Sequence, residues 1–149
     1  MIKELDKDFT SLNEYIGQLN PSKIFILVDE NTHNHCLPIL LPNLETDAPF
    51  EVIEIEAGEE NKNIGTATQL WEIFSEMEAD RKSLLINLGG GVVTDLGGFV
   101  ASTYKRGIRF INLPTTLLAM CDASIGGKTG IDHQYLKNVI GTFALPEAI

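Results

Sequence analysis

Ser83-Leu84-Leu85-Ile86-Asn87-Leu88-Gly89-Gly90-Gly91-Val92-Val93-Thr94-Asp95 is the stretch whose reading decides the fold. Its first six residues form a short, bounded apolar run rich in branched side chains, which predicts a buried strand. Leu96, Phe99, Val100 and Tyr104 then recur at three- and four-residue intervals, the period of a helix. The three glycines between them let the backbone take positive φ and leave no Cβ to hold a ligand away. Strand, glycine turn and helix N-terminus together suit phosphate groups, because unpaired N–H groups and the helix dipole both point at the anion. The dinucleotide spacing G-x-G-x-x-G is not met, since Thr94 fills the sixth position. On spacing alone, nucleotide binding and a tight structural turn both stay open.

Outward from this stretch, Lys23-Ile24-Phe25-Ile26-Leu27-Val28-Asp29 reads as a strand ending in an acid, and residues 31–41 as a helix despite Pro38. Phe50 to Glu56 alternates and predicts a second strand. Ala67, Leu70, Trp71, Phe74 and Met77 mark one face of a helix from Ile64, which is a core face rather than an aromatic binding box. Ile108-Arg109-Phe110-Ile111-Asn112-Leu113 is a further strand stopped at Pro114, and Thr115 to Cys121 suggests another helix. Strands alternating with helices predict an α/β fold, a parallel sheet with helices on both faces. Ligands in such folds lie beyond the carboxyl ends of strands, where Asp29, the glycines and Thr115-Thr116 all fall. Asp122-Ala123-Ser124-Ile125-Gly126-Gly127-Lys128-Thr129-Gly130 is rich in glycine and polar residues and reads as a functional loop, with Tyr135 to Ile140 beginning a short element. The apolar ending Phe143-Ala144-Leu145-Pro146-Glu147-Ala148-Ile149 predicts a fragment of a longer protein.

A chain of 149 residues buries one sizeable core, so residues 1–149 are expected to form one domain. A formal net charge of −10 argues against nucleic acid as a partner. The basic residues Lys105, Arg106, Arg109, Lys128 and Lys137 read as a local pocket for a small anion, or in part as solvated helix-end charges. No apolar stretch approaches transmembrane length and the acidic N-terminus lacks a signal-peptide pattern, which predicts a cytoplasmic protein away from membranes. Cys36 and Cys121 are read as reduced thiols, Cys121 as packing.

Gly127-Lys128-Thr129 invites a P-loop reading, but Asp122 stands where that pattern needs its first glycine, and an acid there repels phosphate. The turn could still place an ammonium beside one phosphate or carboxylate, or leave it in solvent. His33 and His35 are two apart and share no helix face, and His133 is remote, so no metal site is read from the histidines. Asp29 and Glu59, at successive strand ends, are carboxylates suited to ribose diols; a helix N-terminal charge is the plainer reading of Glu59.

Taken together, the ordered segments resemble the 3-dehydroquinate synthase family, among the sugar-phosphate cyclases. The stretches are Asp29-Glu30-Asn31, Gly58-Glu59-Glu60-Asn61-Lys62 and Gly89 through Phe99. Tyr104-Lys105-Arg106-Gly107, Leu113-Pro114-Thr115-Thr116, Asp122 through Thr129 and Leu136-Lys137-Asn138-Val139-Ile140-Gly141 follow. The resemblance implies a Rossmann-like NAD-binding domain here and a helical domain after it, with the active site in the cleft between. It implies cofactor contacts from Asp29, Asn31, Glu59, Lys62, Gly89, Gly90, Gly91, Asp95, Thr115, Thr116 and Lys137. Substrate contacts would come from Arg106, Asp122, Lys128 and Asn138, with a substrate-contacting segment at about 120–141. The implied reaction cyclises 3-deoxy-D-arabino-heptulosonate 7-phosphate to 3-dehydroquinate. It proceeds through transient oxidation by NAD, β-elimination of phosphate, re-reduction and an intramolecular aldol step. A divalent metal, zinc or cobalt, would be held by a glutamate and two histidines beyond Ile149, leaving no metal ligand in this chain. A homodimer is implied for the full-length protein, and no turnover for this fragment alone. The alternatives are another sugar-phosphate cyclase, an iron-type polyol dehydrogenase, and a non-catalytic NAD-binding fragment.

Overall fold

A computed structural model describes residues 2, 5–123 and 126–149, of Ala123 the backbone alone. Its helices are α1 (Thr10–Leu19), α2 (Glu30–His35), α3 (Leu37–Leu40), α4 (Ile64–Glu76) and α5 (Gly91–Thr103). Its strands are β1 (Ile24–Asp29), β2 (Phe50–Ile55), β3 (Leu84–Gly89), β4 (Arg109–Pro114), β5 (Lys128–His133) and β6 (Leu136–Phe143). Among the described residues, the first four strands make a parallel sheet in the order β2-β1-β3-β4, and β5 and β6 make an antiparallel pair. Ile24 stands opposite both Phe50 and Leu84, and Leu84 opposite Arg109, so the carboxyl ends of the four strands share one edge.

The near-continuous apolar runs of β1 and β3 follow from helices covering both faces. Alternation divides them. Phe25, Leu27, Leu85 and Phe110 pack with Leu70, Phe74, Val93, Leu96 and Val100 of α4 and α5. Ile24, Ile26, Leu84, Ile86 and Ile111 pack with Leu12, Ile16, Leu37 and Leu40 of α1 and α3. The aromatic face of α4 is core, as its spacing predicts: the Phe74 ring lies 4.9 Å from Phe25, and Trp71 lies 6.0 Å from Phe99. The Trp71 indole N–H donates to Thr103 Oγ1 at 3.2 Å, so its polar end is satisfied too.

Glycines set how closely α5 approaches its neighbours. A Cβ at Gly97 would overlap the Asn87 amide, which donates to Asn112 Oδ1 at 2.9 Å beneath the helix. A Cβ at Gly98 would come within 2.6 Å of Thr129 Cγ2, so the hairpin also rests on α5 where side chains are missing.

Four segments differ from the sequence reading. The helix expected over Thr115 to Cys121 leaves Thr115 and Thr116 outside it and runs on as a π-helical turn, Ala119–Ala123, in which Cys121 is exposed and not packed. The helix expected over 31–41 is two short helices, broken at Cys36, with Pro38 in the first turn of α3 where its missing N–H is no loss. The loop expected over 122–130 becomes β5 from Lys128 onward, and the short element at Tyr135 to Ile140 is the eight-residue β6. Gly130 and Gly141 face each other across this pair, and a Cβ on Gly141 would overlap the Thr129 carbonyl, so these glycines mark backbones in close approach. Ser124 and Ile125 of the expected loop lie outside the described residues. Helix α1 was not foreseen.

Candidate functional site

The helices differ in how their first turns are satisfied. Asp29 caps α2, accepting from Thr32 N–H at 2.8 Å, while Thr32 Oγ1 accepts from Asp29 N–H at 3.1 Å. Asn63 caps α4, accepting from Thr66 N–H at 3.0 Å. Gly90, at the same position of α5, has no side chain to give. The first bond inside α5 runs from Thr94 N–H to Gly90 O at 3.0 Å, leaving the N–H groups of Gly91, Val92 and Val93 without a partner in the helix. A 13-residue helix with an uncapped start is a ready anion site.

The glycine turn works through space, not through unusual φ. Positive-φ glycines are Gly58, Gly107 and Gly127; Gly90 sits at φ −79, ψ −165, open to any residue. A Cβ on Gly91 meets nothing within 4 Å, so the space above it is free for a ligand. A Cβ on Gly90 would stand 3.1 Å from Thr116 Cγ2, which makes Thr116 a wall of the same turn. Thr115 N–H donates to Gly89 O at 3.0 Å and ties the end of β4 to it. Gly89, Gly90, Gly91, Thr115 and Thr116 are therefore one assembly. It lies where the strand order reverses between β1 and β3, with Asp29 at the adjacent strand end and Asn31 exposed in α2. Open α/β sheets bind ligands at such a switch point.

A second cluster centres on Lys62, only 3% exposed. Its Nζ lies 2.9 Å from Glu59 Oε1, 2.8 Å from Asn138 Oδ1, 3.3 Å from Asp95 Oδ2 and 3.7 Å from Asp132 Oδ1. Burial alone would lower the Lys62 pKa. The hydrogen bond to Glu59 and the charges of Asp95, Glu59 and Asp132 outweigh it and raise the pKa above its ordinary value. Burial pushes the Asp95 carboxyl up, Lys62 opposes this, and the charges of Glu59 and Asp122 add to the rise. Burial also pushes Asp132 upward, but the Asn138 N–H, a hydrogen bond with Glu59, Lys62 and Lys137 hold it below the usual range. One ammonium faces three carboxylates, so acceptor capacity is left for donors such as ribose hydroxyls, while phosphate is disfavoured here. Asp95 stands four residues into α5 from Gly91, one helical turn, and links this acceptor cluster to the anion site.

The structure brings Asn138 and Lys137 to this cluster from β6, but not the other basic residues. Arg106 is exposed just past the far end of α5, roughly 20 Å along the helix from the glycine turn. Arg109 is spent on carbonyls, donating to Leu19 O at 2.8 Å and Lys82 O at 3.1 Å. The single anion pocket expected from Lys105, Arg106, Arg109, Lys128 and Lys137 is thus dispersed, because α5 carries the chain from one edge of the sheet to the other. Lys128 is exposed at the start of β5, and Asp122 is exposed in a π-helical turn, Ala119–Ala123. His33 Nδ1 lies 2.5 Å from Glu54 Oε2, at the outer strand β2. Asp132 escaped the sequence reading, since nothing short of the strand pairing reveals what it faces. An apolar hollow of about 560 Å³, lined among others by Leu12, Tyr15, Leu40, Leu88, Leu113 and Thr115, opens on the α1 and α3 side of the turn.

An uncapped helix at the switch point of a parallel sheet, flanked by carboxylates, defines an α/β domain of the kind whose sheet edge takes ligands. Residues 52–149 match the family model described as 3-dehydroquinate synthase N-terminal. A 3-dehydroquinate synthase of Parabacteroides distasonis is 46% identical over 141 residues, covering 94% of this chain and 40% of that protein. This chain belongs to the 3-dehydroquinate synthase family, and it spans about 40% of the length of that relative. Among solved structures, a 2-deoxy-scyllo-inosose synthase in complex with carbaglucose-6-phosphate, NAD⁺ and Co²⁺ is similar at TM-score 0.86 and 26% identity, covering 93% of this chain and 38% of that one. ValA, a 2-epi-5-epi-valiolone synthase from Streptomyces hygroscopicus with NAD⁺ and Zn²⁺ bound, is similar at TM-score 0.80 and 26% identity, covering 99% and 41%.

Proposed function

We propose that this chain is the NAD-binding part of a 3-dehydroquinate synthase, a carbon–oxygen lyase that turns 3-deoxy-D-arabino-heptulosonate 7-phosphate into 3-dehydroquinate and phosphate. The observation that carries the reading is the uncapped α5 with open space over Gly91, in a chain of this family. NAD fits the residues present. Gly89, Gly90 and Gly91 let the pyrophosphate reach the free N–H groups of α5, and Thr115 and Thr116 close the turn beside it. Asp29, Asn31, Glu59 and Asp95 offer acceptors to ribose hydroxyls, with Lys62 holding Glu59 and Asp95 in place and Lys137 adding a charge nearby. When bound, NAD supplies the reversible oxidation that acidifies the neighbouring C–H of the sugar.

On the substrate side, Lys128 and Arg106 offer the charge-assisted bonds an anionic sugar acid phosphate requires, and Asp122 and Asn138 orient hydroxyls. Among the described residues no group of three or more His, Cys, Asp or Glu could hold a metal ion. The divalent metal of this reading, zinc or cobalt, would be held by residues outside this chain and would polarise the substrate oxygen as a Lewis acid. In this reading residues 1–149 form one domain, with the substrate segment at about 120–141. The protein works in the cytoplasm; among the described residues no helix is long and apolar enough to cross a membrane. It acts as a homodimer, a state favoured by the exposed edge strand β6 with Leu136, Val139 and Phe143.

The test uses the synthase that carries these 149 residues. One phosphate should be released per dehydroquinate, with no accumulated NADH; steady NADH production from a simple polyol would move the protein to the dehydrogenases. Lys128→Ala should weaken substrate binding by roughly 1.5–3 kcal/mol, the worth of a hydrogen bond to a charged group, and leave NAD affinity nearly unchanged. Equal losses for both ligands would contradict the assignment.

A further inference from the structure

The β5–β6 pair is regular at both ends and broken in the middle. Ile131 stands opposite Ile140, but His133 stands opposite Leu136, so Lys137, Asn138 and Val139 all oppose the single residue Asp132. Extra residues in one strand lose their ladder partners and re-aim their side chains. Asn138 takes the left-handed conformation there, φ 52, which its short polar side chain tolerates better than most. Its backbone N–H donates to Asp132 Oδ1 at 2.8 Å, in place of the missing strand partner. Its side-chain Oδ1 turns inward to accept from Lys62 Nζ at 2.8 Å. Asp132 is itself anchored to the same loop, since its N–H donates to Lys62 O at 2.8 Å and it pairs with Asn63.

We infer that Asp132 is a positioning residue: its carboxylate closes the β6 bulge and so sets where Lys137 and Asn138 stand relative to Lys62 and the nucleotide. The inference rests on the synthase reading for what Asn138 and Lys137 touch, but not for the bulge itself. Without the Asp132 acceptor, the Asn138 N–H has only solvent, the left-handed turn loses its reason, and Asn138 leaves Lys62. Glu59 and Asp95 still hold Lys62, so the nucleotide side survives while the hairpin side loosens. An amide oxygen at the same position could accept the same N–H, and the role is therefore separable from the charge.

Asp132→Ala and Asp132→Asn test this with two readouts. In the ¹⁵N-labelled 149-residue chain, the Asn138 amide should lose its hydrogen-exchange protection in Asp132→Ala and keep it in Asp132→Asn. In the synthase, Asp132→Ala should raise KM for the heptulosonate phosphate roughly tenfold, as loss of one charged hydrogen-bond acceptor implies, with kcat within about threefold and NAD affinity weakened by a smaller factor than KM, through Lys137. Asp132→Asn should restore KM to within about threefold of the parent. An unchanged Asn138 amide in Asp132→Ala, equal damage in the two variants, or an unchanged KM in Asp132→Ala would each overturn the inference. A parent protein that neither binds NAD nor releases phosphate would defeat the synthase reading instead, and the amide readout would still decide the bulge.

Discussion

Strands β3 and β6 are of similar length and opposite character. All six residues of β3 are buried, whereas every residue of β6 but Thr142 is exposed. The sheet around β3 is held by apolar packing on both faces and needs no ligand to be in place. The hairpin is seated in the same core through Ile131 of β5, and β6 is held by polar contacts at two points. Thr142 Oγ1 lies 2.5 Å from Thr129 Oγ1 and 2.6 Å from Ser102 Oγ at one end, and the Lys62 cluster grips the other. In the proposed reading, the glycine turn that would take the cofactor pyrophosphate rides on the rigid element, and Lys128 and Asn138, proposed for the substrate, ride on the looser one. That division puts stability and substrate recognition on separate parts of the chain.

The sharpest break of this comparison is Phe25→Ala. Phe25 is fully buried between β2 and β3 and stacks near Phe74, so its truncation should cost about 3–5 kcal/mol in urea unfolding. A loss below about 1 kcal/mol would mean that the sheet is not the stable half.

Lys62→Met comes next. It leaves the half-buried Asp95 without its cation, and breaking such a pair costs about 3 kcal/mol, the lower end of the usual range because Glu59 and Asp95 both reach solvent. The pH dependence is a second signature. The folded pKa of Lys62 lies above its ordinary 10.5, so between the two values the unfolded chain gives up a proton that the folded chain keeps. The Lys62 contribution is therefore whole below 10.5 and is lost as pH rises through the folded value. Tyr15, raised by burial and by Glu147, gives a loss of the same sign above 10.0, so the diagnostic is the difference between parent and Lys62→Met curves. Parallel curves up to pH 12 would remove Lys62 from the account of stability.

The same contrast explains what the sequence could disclose. The sheet was legible because burial on both faces writes itself as Ile24 to Val28 and Leu84 to Leu88, and the glycine turn because nothing else joins a strand to a helix in three glycines. The hairpin was not. Gly126, Gly127, Gly130 and Gly141 look like loop residues, and the close backbone approach that requires two of them is visible only across the strand pair. Reading Arg106 and Lys137 into one basic pocket ignores the length of α5, which lies between Arg106 and the Lys62 cluster that Lys137 adjoins. The Lys62 cluster was half legible: Glu59, Lys62, Asp95 and Asn138 follow from the resemblance, Asp132 from neither motif nor period.

Gly91→Val separates ligand binding from folding at the turn. Its new Cβ meets no protein atom within 4 Å, so the unfolding midpoint should move little, while the branched side chain fills the space proposed for pyrophosphate. NAD affinity should fall tenfold or more, on the order of 1.4 kcal/mol, by titration calorimetry. Gly90→Val is the harsher partner, because its side chain also presses on Thr116. Near-parent NAD affinity in Gly91→Val would place the cofactor elsewhere.

Phe143→Ala should have the smallest effect. It removes the same side chain as Phe25→Ala, but at a position 88% exposed on β6, where little apolar surface leaves water on folding. A surface truncation of this kind stays within about 0.5 kcal/mol, and the strand pairing of Phe143 with Lys128 uses backbone groups that alanine retains. The expected result in urea is a midpoint indistinguishable from the parent at low protein concentration. A shift approaching that of Phe25→Ala would show that β6 carries apolar stability after all, and the division between a rigid sheet and a polar-tethered β6 would have to be abandoned. A shift that appears only at high protein concentration would locate the effect between molecules, on the exposed edge of β6, and leave the division within one molecule intact.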